Sequence, residues 1–464
     1  RGNLTSARNW AFLLNKYKEP RLSWFYNFLK ENQSNYVANN EPVSTRQAKS
    51  QNGENESYED VIFNTVNIPE ENPFMERPVK LFRAVGTTVF KSGWEPDDFV
   101  FVMRTGPAYN HQHLDQGSFW LADREKLFVQ ERPLSNSHYY DDPLYESWLT
   151  QPVGHSTILV NGNHQSQRMG DHLNFAPGFD DHAYVSHFLD GEHAAFSAGN
   201  IGRLYWDKVK ALSRNVLYLK PRTLLMLDLV IPSAEDADIT LLYQTARLED
   251  IKAGKKESSI VKDDATLHIS HLAPASTKVT SVETPHYLKT LQAGKPLERE
   301  GMLTVTSETN GQPLVIANLL RTSLSASRPE INTTLGEDFI SGVVSHQNFA
   351  FSTKPGKEYE VAHLSTDALA ITWDEERIFA AKAMIYRDPK IELASDAPIT
   401  FEFSSDGALK YYIERDGQLI VKLDKAASSI IMNDKKVENS FYNSDAETWN
   451  LPVPEGKGNI SIRF

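Results

Sequence analysis

What most limits the fold of this chain is a change of rhythm after Pro78. Downstream of it, apolar residues come in short alternating or continuous runs, such as Val79–Val89, Phe99–Arg104, Gly117–Ala122, Leu127–Glu131 and Ser156–Val160. Further runs follow at Val216–Lys220, Thr223–Val230 and Ile239–Gln244, and Gly, Pro and Asp turns separate them. Side chains that alternate in twos fit half-buried strands. No ten-residue amphipathic helix interrupts the series after residue 60, so βα crossovers are absent and the strands must pair antiparallel in packed sheets. Turn signals are unevenly spaced, which argues against a seven-strand immunoglobulin-like domain. The expected architecture is a mainly β chain with a large antiparallel β-sandwich over residues 61–375. Between Asp374 and Pro398 the pattern loosens, then resumes at Ile399, and Asp416-Gly417 reads as a hairpin turn, so residues 376–464 are expected to form a small C-terminal β domain, the alternative being an extension of the main sandwich.

Residues 1–60 read differently. Trp10, Leu13, Leu14 and Tyr17 recur at helical spacing, and after Pro20 so do Leu22, Phe25, Tyr26 and Leu29. Two helices this short need a partner surface for their aromatic stripes. From Val37 to Ser57 apolar residues nearly vanish, as in a solvated linker. At 464 residues the chain is long enough for two or three domains. Its net charge of −13 carries no basic stripe, which excludes a nucleic-acid footprint. It has no cysteine, hence no disulfide framework, and no apolar run approaches a membrane span. Opening on Arg1-Gly2-Asn3, the sequence reads as processed or shortened, with no address signal of its own.

Histidines concentrate the chemistry. Nine of the fourteen lie between His111 and His193. His111 and His113 form an H-x-H pair, which on an extended strand points both imidazoles to one face. His155, in Gly154-His155-Ser156-Thr157, can join them by strand pairing and complete a three-ligand metal set with a carboxylate. An H-x-H pair is equally compatible with a polar sheet rim.

The ordered blocks His111-x-His113-x-Asp115-x-Gly117-Ser118-Phe119 and Gly154-His155-Ser156-Thr157-Ile158-Leu159-Val160-Asn161-Gly162 with Gln165 resemble the heparinase II/III-like polysaccharide lyases. Arg214-Asn215-Val216-Leu217-Tyr218-Leu219 and Leu225-Met226-Leu227-Asp228 fit the same pattern of a basic residue, a strand and a buried aspartate. In that family an α/α toroid of paired helices precedes the β region. The resemblance therefore implies that the N-terminal helices are a toroid remnant, the rest lying upstream of Arg1; the residues alone fit a helical cap packed on the sheet equally.

The resemblance also implies an activity: β-elimination on an acidic, uronate-containing polysaccharide or oligosaccharide, with the protein periplasmic or secreted. His111 aligns with the family histidine that faces the substrate. His113 and His155 align with ligands of a structural divalent metal, zinc before calcium because two imidazoles bind it. The family's third ligand is an aspartate on the strand after the G-S-F block, where this chain reads Leu127-Phe128-Val129-Gln130-Glu131, so the role passes to Glu131, with Gln130 as the alternative. A tyrosine of Ser137-His138-Tyr139-Tyr140-Asp141 is the candidate assistant, Tyr140 ahead of Tyr139. The family's main tyrosine acid/base sits on the toroid and matches no position here. His111-x-His113-x-Asp115 also echoes the metallo-β-lactamase motif, but Gln116 stands where that motif has a histidine. The alternative to a lyase is a non-catalytic carbohydrate-binding β-sandwich with a structural metal.

Overall fold

The computed structural model describes Leu14 and residues 16–27, 68–71, 77–107, 113–130, 144–168, 182–233, 236–285, 299–324, 331–344, 346–425 and 427–463. They fall into two units, residues 1–77 and 78–464. In the first, a helix covers residues 20–27 with Pro20 at its first position, where a missing N–H costs nothing. The Glu19 carboxylate accepts from the Leu22 amide at 3.2 Å and satisfies one of the free N–H groups of that first turn. Leu14, Leu22, Tyr26 and Ile68 pack together, whereas Tyr17, placed on the same stripe by the sequence, is 60% exposed.

The second unit is mainly β, in several antiparallel sheets. The first sheet runs in chain order: β1 (Lys80–Phe82), β2 (Thr87–Lys91), β3 (Val100–Arg104), β4 (Phe119–Asp123) and β5 (Lys126–Val129). Then come β6 (Ile158–Val160), β7 (Tyr184–Asp190), β8 (Ala194–Asn200), β9 (Val209–Leu219), β10 (Thr223–Pro232), β11 (Asp238–Thr245) and β12 (Ile251–Lys252). They are followed by β13 (Glu257–Lys262), β14 (Ala265–Ala273), β15 (Lys278–Glu283), β16 (Gly301–Glu308) and β17 (Leu314–Leu324). An eight-stranded sheet has the order β12-β13-β14-β17-β10-β9-β8-β7, and a four-stranded one β15-β16-β11-β6.

The eight-stranded sheet is the middle layer. One face, through Val216, Tyr218, Leu224 and Met226, joins Phe101, Phe119, Ile158 and Tyr243 of the two smaller sheets in a single core. The other, through Leu217, Leu219, Leu225 and Leu227, packs on Phe349, Phe351, Phe379 and Tyr412 of the C-terminal sheet. A strand segment buried on both faces has no polar side to show, so Val216–Leu219 of β9 and Leu224–Leu227 of β10 read as continuous apolar runs instead of alternating ones.

The C-terminal sheet has fifteen strands between Asn332 and Arg463 and continues across residues 375–376. Here two sequence readings are revised. The loosened stretch Asp374–Pro398 is occupied by long strands, Arg377–Arg387 and Ile391–Ser404. Their alternation is broken by register shifts on either side of Ala383, next to Lys382 at φ 55°, and Pro398 lies inside the second strand. Asp416-Gly417 is not a hairpin turn. Ala408–Ile413 and Gly417–Leu423 both pair with Ile391–Ser404, on its second and first halves, so the connection moves the chain along one partner strand. Among the described residues, no helix is long and apolar enough to cross a membrane.

Candidate functional site

The site grows from a buried ion pair on the middle sheet. Arg214 of β9 and Asp228 of β10 are directly opposite in register, on the face that looks toward the smaller sheets, and both are 0% exposed. The guanidinium holds the carboxylate through Nε at 2.8 Å and Nη2 at 3.2 Å, the two-pronged geometry in which such a pair is strongest. Nη1 donates outward to the carbonyls of Gly117 at 2.6 Å and Ser156 at 3.2 Å, and the Phe119 ring lies 5.6 Å beneath the charge. Burial opposes the charge on Arg214, but the adjacent carboxylate more than restores it, leaving the group above its ordinary value. Burial outweighs the guanidinium at Asp228 and raises that carboxyl.

The described part of the first motif block, residues 113–118, leads into β4. Gly117 sits at φ 79°, a left-handed backbone that favours glycine. Its amide donates to the Arg104 carbonyl, and Asp115 accepts from Arg104 Nε at 3.1 Å and from Gln116 Nε2 at 2.9 Å. The Gln116 backbone is clamped by the Gln167 side chain, which accepts from its N–H at 3.1 Å and donates to its carbonyl at 2.8 Å. Gln167 also donates to the Tyr205 hydroxyl, which donates to the Ile158 carbonyl at 2.8 Å. Burial pushes the Tyr205 phenol up to about 12, so it stays a neutral donor.

The second block leaves the short Pro152–Gly154 turn. Gly154 has no room for a side chain, since a Cβ would meet the Trp148 carbonyl at 2.4 Å. Gln244 of β11 fixes both sides of His155: its side chain donates to the Val153 carbonyl at 2.8 Å, and its amide donates to Ser156 Oγ at 3.0 Å. The blocks are tied by Thr157 Oγ1 donating to the Gln116 carbonyl at 2.6 Å and by the Leu114 amide on the Thr150 carbonyl at 2.8 Å.

This lattice brings His113 Nδ1 to 3.2 Å from Nε2 of His155, which is 4% exposed. The rings are tilted by 53° with centroids 5.1 Å apart. Without a cation, one nitrogen donates and the other accepts. Two imidazole nitrogens on a tetrahedral zinc, each at about 2.0–2.1 Å, stand roughly 3.3 Å apart, so the observed separation fits a shared metal. Among the described residues, no third His, Cys, Asp or Glu completes a cluster. His111, Glu131, Tyr139 and Tyr140 lie outside the described residues. Gln130, the neighbour of Glu131, donates its amide to the Gln244 carbonyl at 3.2 Å, so the chain leaves β5 tied to the residue that brackets His155.

Sequence reasoning brought His113 and His155 together but missed the supports Gln116, Gln167, Tyr205 and Gln244. The motif spacing points to Gln165, whereas Gln167 makes the clamp. The one signal for Gln167 was its place beyond the Asn161-Gly162 turn, where Ser166 folds back to the Val160 amide.

The sequence pattern of the family described as heparinase II/III-like, C-terminal, matches residues 75–373, well over half of the chain. No curated protein matches it. Among solved structures, heparan sulfate lyase HepC from Pedobacter heparinus is similar at 15% identity over 69% of this chain and 47% of that one, with a TM-score of 0.49. A mutant of the same enzyme gives 17% identity over 63% and 44%, also at 0.49. A structure of heparinase III gives 13% over 62% and 44%, at 0.47. The chain thus spans less than half the length of these solved chains.

Proposed function

Because the chain belongs to the heparinase II/III-like C-terminal family, a family of polysaccharide lyases, we propose that it is the β part of a lyase cleaving an acidic, uronate-containing glycan by β-elimination. The observation that carries the reading is the pairing of His113 with His155 at 3.2 Å on a rim held by buried hydrogen bonds. Members of the family act on glycosaminoglycan-type polymers, and a periplasmic or secreted location follows for an enzyme that meets such a substrate.

In the reaction, a base removes the proton alpha to the uronate carboxylate. The resulting electron pair forms the C4=C5 double bond as the C4–O4 bond breaks, and an acid protonates the departing O4. His111 acts at the reacting sugar, neutralising the carboxylate or taking the proton, and Tyr140 assists. The acid/base tyrosine of the family belongs to a helical toroid, so catalysis requires the protein that includes it. His113, His155 and Glu131 would hold a divalent cation, zinc in preference to calcium. When bound, that cation would order the segments that carry His113 and His155. The acceptor-rich substrate is met locally, since the chain as a whole is acidic.

The test uses the protein with its helical part. It is incubated with alginate, heparan sulfate, chondroitin and ulvan-type glycans, and the absorbance of the unsaturated uronate is followed. A rise that His111→Ala abolishes in a folded protein supports the reading. Binding to one of these glycans without any unsaturated product replaces it with a carbohydrate-binding sandwich.

A further inference from the structure

We propose that Arg214, clamped by Asp228, is the positioning residue that sets the approach of His113 to His155. The inference rests on the reading of that rim as functional. One guanidinium reaches both motif blocks: Nη1 donates to the Gly117 carbonyl in the first and to the Ser156 carbonyl, adjacent to His155, in the second. Its other edge is held by Asp228 on the neighbouring strand, so the fork takes its orientation from the sheet and imposes it on the loops.

Stability alone does not call for this arrangement. A buried ion pair replaced by apolar side chains of similar volume is often as stable or more so. What an apolar pair cannot do is donate to two carbonyls on separate loops. Lysine cannot replace the function either, because its ammonium is a compact point charge without a planar fork. Two other ties, Thr157 Oγ1 on the Gln116 carbonyl and the Leu114 amide on the Thr150 carbonyl, also join the blocks, so loss of the guanidinium leaves the loops attached to each other but without the donor that holds both to the sheet.

The test is made on the full chain. Arg214→Met/Asp228→Leu removes both charges at similar volume, and urea unfolding confirms that the variant is folded. Two properties are then read: the nuclear Overhauser contact between the His113 and His155 rings in metal-free protein, and zinc affinity by chelator competition, with the cobalt(II) spectrum reporting the coordination geometry. The ring contact is expected in the parent and lost in the variant, and zinc affinity is expected to fall about tenfold or more, as when a residue orienting metal ligands is removed. If the double variant does not fold, Arg214→Lys, which keeps the charge beside Asp228, is measured in the same way with the same expectation. A folded variant with the ring contact intact, or with zinc affinity equal to that of the parent, overturns the proposal, and so does a parent without the contact. A parent that shows the contact but binds no zinc refutes the metal reading alone, and loss of the contact in the variant then still supports positioning.

Discussion

His187 makes the fold sensitive to acid in a way whose size follows from its surroundings. The imidazole is 1% exposed, between β7 of the middle sheet and the C-terminal sheet. Nε2 donates to the Pro398 carbonyl at 3.2 Å, Nδ1 lies 3.4 Å from Ser186 Oγ and 3.9 Å from Glu414, and the Tyr412 ring stands edge-on at 5.5 Å. Burial, reinforced by the charge of Lys382 and only partly offset by the Pro398 carbonyl, lowers it from 6.5 to about 4. The folded state therefore binds a proton less readily than the unfolded chain. Its contribution to stability is complete above 6.5 and is lost as the pH falls through 4. At about 1.36 kcal/mol per unit the whole contribution is about 3 kcal/mol, of which about 2 kcal/mol disappears between about pH 7.5 and about pH 5. The perturbation is His187→Gln, which keeps an N–H for Pro398 and cannot titrate. Urea unfolding of both proteins at the two pH values should show the variant losing about 2 kcal/mol less than the parent. Burial lowers His193 and His271 too, but they titrate in both proteins and cancel in the comparison. Equal losses in parent and variant would refute the reasoning.

Other expectations follow from the same contacts. Gln167→Leu should cost about 1–3 kcal/mol in urea unfolding, because it strands the buried Gln116 amide. Leu225→Ala opens a cavity where the middle sheet meets the C-terminal sheet, and should cost about 2–5 kcal/mol by thermal or urea unfolding. Protein purified without chelator should carry about one equivalent of zinc by elemental analysis, and His155→Ala should remove it.

The sequence announced its sheets through periodicity. It could not announce which sheet each strand joins, because that depends on partners far away in the chain. Val216–Leu219 reads as apolar whether one face or both are covered, and the layer of Phe349 and Phe379 behind it becomes visible only in the fold. Asp416-Gly417 looks like a hairpin because local turn chemistry carries no information that both flanking strands already have another partner. At the site, spacing and motif order brought His113 and His155 to one rim. Gln116, Gln167 and Tyr205 hold it through isolated hydrogen bonds to backbone and to one another, which leave no period for a sequence to display. The histidines and carboxylates gathered against the C-terminal sheet, His187 and His193 with Glu402, were equally silent, since their partners lie some two hundred residues away.

The proposal that this is the β part of an eliminating lyase is tested most directly by the mass of the product. The protein with its helical part is allowed to cleave a uronate glycan, and the new ends are analysed by mass spectrometry. Elimination is expected to yield a non-reducing uronate one water lighter than its saturated counterpart, in the parent and not in His111→Ala. Fragments that have gained a full water at every cleavage, or a substrate returned uncut by a protein that retains it, would contradict the account.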